Sequence, residues 1–448
     1  KVRGDFTILS PVNGDIRLVG IETAISWTLV GYIPTVKLEY STDASHTTWN
    51  TIISSTAGAT GFYNWLTPGN TGDLSGTVQI RISNASDSNV KKTSNGNFRI
   101  RDRFDITYPE GTTTILVSGQ TNQPISWTSV SPAGKLVNVK LQWSRDDFVT
   151  DVNIVPGADN IPNNGSFMWT IPDIINSAVK VRVYSLGDPP IGADQGASAR
   201  SQPEFKIRGN LAVTNPNGNI NWYVQEAKTL QWNTFGPIET VKVEYSIDDG
   251  ISYPYTISAT QPAGIGSGSC PWTVQDHYTD KLRISITDVS SYTTDLDLKI
   301  YAESPAYTTT AMNKIRSQIN VVAVPSVVIV GSSYNITWTR TGSIPTVKIE
   351  YFKGASGTEI TPSTDGMVNT YSWQVPNDIY YGCLIRVSDT RDYNVRKDSA
   401  PFDIKGSITV GSPVTGTAWV VASTQPITWT WTGSIGQVQI EYSTDDFV

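Results

Sequence analysis

Apolar and polar residues alternate with a period of two in short runs along this chain, and the runs return at a regular distance. Val36, Leu38 and Tyr40 fall on one face while Lys37 and Glu39 fall on the other. The same pattern is written at Val241, Val243 and Tyr245, at Val347, Ile349 and Tyr351, and at Val438, Ile440 and Tyr442. Period two predicts a strand with one buried face. Upstream of each run lies a tryptophan on another short apolar face: Trp27, Trp127, Trp232, Trp338 and Trp429. The looser second copy carries Trp143 where the others carry the tyrosine. Glycine and proline between the two strands, as in GYIP (31–34) and GSIP (342–345), supply a turn.

A second tryptophan follows in FYNWLTP, FMWTIPDI, CPWTVQDH and YSWQVPND, at Trp65, Trp169, Trp272 and Trp373. Next comes another alternating strand, VQIRIS, VKVRVY, KLRISI or CLIRVS, with Arg81, Arg182, Arg283 and Arg386 expected to point outward. A closing strand (NFRIR, EFKIR, NKIR, PFDIK) then runs directly into the next opening strand. Each copy thus carries about seven short strands with no sustained helical period, which predicts an all-β tandem array of immunoglobulin-like or fibronectin-III-like sandwiches. The step of about a hundred residues suits whole domains better than solenoid units of ~20–50 residues.

The expected organisation is the end of a preceding repeat at 1–3, then repeat 1 at 4–102 and repeat 2 at 103–208. Repeat 3 follows at 209–316 with an insertion at about 287–311, repeat 4 at 317–405, and a partial repeat 5 at 406–448. The expected core residues are Trp27, Tyr40, Trp65, Trp127, Trp143, Trp169, Trp232, Tyr245, Trp272, Trp338, Tyr351, Trp373, Trp429 and Tyr442. Each repeat is expected to be an autonomous folding unit. Within the insertion, the alternating stretch TDLDLKIYA predicts an added edge strand, belonging to its own repeat or to a neighbouring chain, and lying at an interface.

Composition narrows the function. The 448 residues carry a net charge of -7, and charged residues are only 16% of the chain. Clustered cations that would track phosphates are absent, which excludes nucleic acid as a partner. No run of 18 or more apolar residues spans a bilayer. Two histidines, His46 and His277, sit at non-equivalent turns and read as solvated, and no spacing nominates a nucleophile with its base. The chain reads as a non-enzyme without cofactor. Asp43, Asp146, Asp147, Asp248, Asp249, Asp445 and Asp446 recur at hairpin tips, where aspartate caps backbone donors. As metal ligands, Asp248, Asp249, Asp445 and Asp446 are weak calcium candidates, since calcium wants several converging oxygens. Cys270 and Cys383 occupy core-facing positions in different repeats and read as free buried thiols. Arg3-Gly4-Asp5 aligns with Arg208-Gly209-Asn210 and Lys405-Gly406-Ser407, so it reads as an ordinary joint. Asn84, Asn164 and Asn335 begin sequons for N-glycosylation.

The order of features, Ser10-Pro11, then Ile336-Thr337-Trp338, a V-x-I-E-Y strand, a W-x-x-P stretch, an arginine strand and a closing F-x-I, resembles the serine/threonine-rich GPI-anchored module of fungal cell-wall glucan-synthesis proteins. That module is also repeated in prokaryotic surface proteins. Lys353-Gly354 and the insertion before Ile315 depart from the pattern. The resemblance implies an extracellular sandwich associated with walls or surfaces and carries no catalytic residue. The leading expectation is a structural repeat protein of the cell surface or extracellular space, forming a stalk, tether or filament by self-association or with other surface and wall components. The rival is an adhesin for polysaccharide, using Trp49, Tyr253, Tyr255, Tyr380 and Tyr381.

Overall fold

The computed structural model describes residues 2–69, 75–130, 138–188, 196–291, 295–308 and 312–447. Among them every regular element is a strand, apart from two single-turn 3₁₀ helices. The chain divides into two compact units, residues 1–210 with 234–239 and 290–300, and residues 211–233 with 240–289 and 301–448.

In the first unit, strand Glu22–Val30 lies between Asp5–Ser10 and Phe62–Leu66 to make one layer. The facing layer runs Ile16–Leu18, Phe98–Arg101, Ser75–Asn84, Thr35–Ser41 and Asn50–Ala57, with Asp87–Thr93 also paired to Ser75–Asn84. Ile16–Leu18 pairs parallel with the closing strand, and the other ladders are antiparallel. Repeat 2 follows the same order, with Gln123–Val130 central in one layer and Asn176–Ser185 in the other. In the second unit, repeat 4 returns to the complete pattern of repeat 1, from Gln318–Ala323 to Phe402–Lys405. These are two-layer sandwiches of the immunoglobulin-like kind.

Apolar alternation explains each core. Val36, Leu38, Val78, Ile80 and Ile82 are fully covered, and Trp27 is sealed between the layers. A buried indole needs an acceptor, and each of the first tryptophans of repeats 1 to 4 has one. Trp27 Nε1 donates to the Gly58 carbonyl at 3.0 Å, Trp232 to Ala263 at 2.9 Å and Trp338 to Gly366 at 3.1 Å. Trp127 uses the Asn163 side chain at 2.7 Å instead. The second tryptophan packs against the strand tyrosine, with ring centroids 5.2 Å apart for Tyr40 and Trp65, 4.9 Å for Tyr245 and Trp272, and 5.7 Å for Tyr351 and Trp373. Trp143 and Trp169 are buried in repeat 2.

Three expectations need correction. Trp429 is only half-buried and Tyr442 is 91% exposed, so neither is a core residue. Beyond residue 406 only Ser407–Ser412 and Thr428–Thr432 pair, and no facing layer covers them within the described residues. The stretch TDLDLKIYA, of which 295–302 are described, is not one strand. Leu296–Leu298 is a 3₁₀ turn whose Asp295 side chain accepts from the Asp297 amide, burying Leu298 and exposing Leu296. Two leucines at i and i+2 satisfy such a turn as well as a strand, and the local Asp bond decides. Only Tyr301–Glu303 is strand, and it pairs with Ser285–Thr287 in its own sheet, the place taken by Asp87–Thr93 in repeat 1. Finally, His46 and His277 are half-buried and bonded rather than solvated.

Candidate functional site: hairpin tips and joints

The tips are built by a repeated Ser-x-Asp. Ser41, Ser144 and Ser246 are buried at the end of the strand, and each Oγ donates to the aspartate two residues on, at 3.1, 2.9 and 2.5 Å. The carboxylates then accept backbone amides across the turn: Asp43 from Thr47 and Thr48, Asp146 from Thr150 and Asp151, Asp248 from Ser252. Ser443 and Asp445 begin the same arrangement. Residues 147, 249 and 446 turn the corner at positive φ, which aspartate tolerates. Donors on both oxygens hold the Asp43 and Asp146 carboxyls far below the usual range, and Ser246 with Ser252 lowers Asp248 to about 2. Asp249 accepts from the Tyr307 amide at 2.8 Å. Among the described residues no group of three or more His, Cys, Asp or Glu converges as a ligand set.

A carboxyl depressed in the folded state contributes stability above its unfolded pKa of ~4 and loses it as pH falls through the folded value. Asp248 is therefore expected to keep its hairpin locked down to about pH 2. Side-chain carboxyl chemical shifts followed by NMR check this, and a midpoint near 4 would contradict it.

The outward arginines do not end in water. Arg81 lies 4.2 Å from the Trp49 ring centre and bonds Glu39. Arg386 lies 4.4 Å from Phe352 and forks onto Asp398, while Arg182 lies 4.3 Å from Phe148 and donates to Gln142. Arg283 pairs with Glu303, which also accepts from Tyr253. Tip aromatic and strand arginine thus cover one another, a contact worth ~0.5–1 kcal/mol at such sites. This changes the reading of the five aromatics. Trp49 and Tyr253 are engaged, and Tyr255 stacks on Tyr245 at 4.8 Å and lies 4.2 Å from His277. Tyr245, which sits 2.6 Å from His277 Nδ1, is pushed up to about 12 by burial. Only Tyr380 and Tyr381 of the five stay exposed.

The joints carry a second recurring geometry. Gly4, Gly209 and Gly406 open the repeats where a Cβ would sit 2.6–2.9 Å from the carbonyl of Val30, Phe235 or Thr432 and against Ile33, Ile238 or Ile435. Gly4 is therefore a packing glycine within Arg3-Gly4-Asp5. The GSIP turn and its counterpart GSIG (433–436) also have partners: the Ser343 amide and hydroxyl donate to Asp276, at 3.0 and 2.6 Å, and the Ser434 amide donates to Asn377 at 2.7 Å. A cation near the end of a closing strand, the last one at Arg3, Arg101 and Arg316 but Lys206 rather than Arg208 in repeat 2, reaches an aspartate that follows the next arginine strand. Arg3 meets Asp87 at 3.4 Å, Arg101 meets Asp188 at 3.1 Å and Arg316 meets Asp392 at 2.7 Å. Lys206 meets Asp295 and Asp297, both at 2.8 Å. The acids are not evident from the joints themselves; their signal is an aspartate three or four residues after a serine at or next to the end of the arginine strand (Ser83 to Asp87, Ser185 to Asp188, Ser388 to Asp392).

Sheet edges are guarded. Asn50–Ala57, Tyr255–Pro262 and Ser356–Asp365 each break register twice against their single neighbour. The opposite edge strands carry exposed Lys91 and Lys92, or Arg396 and Lys397. Bulges and edge cations both discourage a foreign strand. Cys270 and Cys383 are buried free thiols. Asn164 and Asn335 are exposed, whereas Asn84 is half-buried and accepts from the Ser86 amide.

No family model and no curated protein matches this chain, so the likeness to the serine/threonine-rich GPI-anchored module is unsupported. Among solved structures it is similar to immunoglobulin domains 1–4 of Sidekick-1, at 11% identity and TM-score 0.24, over 90% of this chain and 99% of that one. It is also similar to the four N-terminal immunoglobulin domains of Dscam1 isoform 1.9, at 12% identity and TM-score 0.24, over 90% and 99%. A third is the ICAM-5 D1–D4 ectodomain fragment, at 12% identity and TM-score 0.25, over 90% and 100%. Likeness at this level speaks to neither ligand nor role; the sandwich assignment stands on strand order and core.

Proposed function

We propose that this chain is a non-enzymatic structural repeat protein of the cell surface or extracellular space, acting as a stalk or tether. The observation that supports this most is the joint: a closing strand passes into the next opening strand through a single residue, Asp102, Gly209, Ser317 or Gly406, with a charge pair beside it at Arg101 and at Arg316. Such joints leave no flexible linker. The doubly bulged and cation-bearing edges favour a chain that stays single over a laterally paired filament. Among the described residues no helix is long and apolar enough to cross a membrane. Asn164 and Asn335 are the accessible sequons for glycan attachment in such a setting.

At ~3.3 Å per strand residue a repeat measures about 35–40 Å, so the chain is expected to reach on the order of 160 Å. Small-angle scattering should then give a radius of gyration near ~46 Å, against ~22 Å for a compact chain of this length. The smaller value would overturn the proposal. The adhesin reading retains Tyr380 and Tyr381, exposed side by side near Lys405, and a glycan array tests it.

A further inference from the structure

The closing-strand cation is a docking residue for the repeat that follows, and its fullest form is at the passage from repeat 3 to repeat 4. Arg316 is 3% exposed although it is the most polar side chain of its strand. Nη1 donates to the carbonyls of Thr279 and Ile315, Nη2 to Asp280, and Nε to Asp392 at 2.7 Å. Three of those acceptors lie in repeat 3, and Asp392 lies in repeat 4. The Tyr278 ring is held between two guanidiniums, 4.6 Å from Arg316 and 3.9 Å from Arg391. Arg391 in turn donates to the Ser343 carbonyl, whose own amide and hydroxyl are taken by Asp276. A buried guanidinium with its donors spent on both sides fixes orientation, because any rotation of one body strips a covered charge of its partner.

We propose that repeats 3 and 4 form one rigid body locked by Arg316 and Asp392, and that the same cation-to-aspartate latch recurs in weaker form at Arg3 with Asp87 and at Arg101 with Asp188. This rests on the stalk reading and deepens it, replacing independent beads by latched neighbours. It also gives the repeat 3 insertion a role. Where the other repeats present Asp87, Asp188 or Asp392 directly after the arginine strand, the longer loop of repeat 3 carries Asp295 and Asp297 to Lys206, with Leu298 buried beneath.

The test uses residual dipolar couplings of backbone amides in the full chain. Wild type is expected to fit a single alignment tensor over repeats 3 and 4, at low salt and in 1 M salt, because a covered pair escapes the ~3 Å screening length there. Arg316→Ala is expected to lose the shared tensor and give two of unequal magnitude. Asp392→Ala removes only the repeat 4 partner and leaves Arg316 its three acceptors in repeat 3, so it separates unlatching from misfolding; it too should split the tensor while amide shifts in both cores stay unchanged. Separate tensors in wild type, or one shared tensor in a folded Asp392→Ala chain, would overturn the inference. The scattering length is a different readout, so an extended chain with split tensors would retain the stalk and remove the latch.

Discussion

Trp338→Ala is expected to cost repeat 4 on the order of 3–5 kcal/mol, a large share of the ~5–15 kcal/mol that a domain has. The indole is 3% exposed and packs with Ile336, Val347 and Trp373 in one continuous core, so its removal leaves a cavity that strands on both sides cannot close. It also strands the Gly366 carbonyl, which accepts the indole N–H at 3.1 Å and would be left without that donor. Calorimetry should show one transition moving to lower temperature. An unchanged trace would remove the sealed tryptophan from its place at the centre of the sandwich. If the latch between repeats 3 and 4 operates, the transition of repeat 3 moves with it, whereas autonomous repeats would leave it in place.

The second large effect is expected at Gly58. A Cβ there would stand 2.3 Å from the Ile33 carbonyl oxygen, a backbone atom that cannot swing aside. The Gly58 amide is bonded to Pro34 at 2.9 Å and its carbonyl accepts Trp27, so the segment is held from both directions. Gly58→Ala should therefore destabilise repeat 1 by ~1–3 kcal/mol, as overpacking does. Gly76→Ala is the control in the same repeat, since a Cβ there meets nothing within 4 Å, and should stay within ~0.5 kcal/mol of wild type. Chemical denaturation of both variants decides, and equal midpoints would contradict the steric argument.

The sandwich was legible because alternation such as Val36, Leu38, Tyr40 is a local signal that one strand carries by itself. Burial is not local. Trp429 and Tyr442 repeat the motif of Trp27 and Tyr40, yet they lie open because no layer faces them among the described residues. The arginine strands were read in the right direction but with the wrong ending, since an aromatic on a hairpin tip announces neither its rotamer nor the cation it covers. The joints were least visible: Arg316 and Asp392 are 76 residues apart in sequence, and each alone looks like any surface charge. The serine-aspartate tips were seen as turn chemistry, which accounts for the donors now counted on Asp43, Asp146 and Asp248 without any ion.

The loop that carries Asp295 and Asp297 constrains how the modules can be ordered. Its contact uses a lysine two residues before the closing strand's final cation, as Lys206 precedes Arg208. Lys314 precedes Arg316 in the same way, whereas the strand ending at Arg101 has Arg99 there and the strand ending at Lys405 has Asp403. Placed after Lys405 by recombination, the acidic arm would face a carboxylate instead of an ammonium.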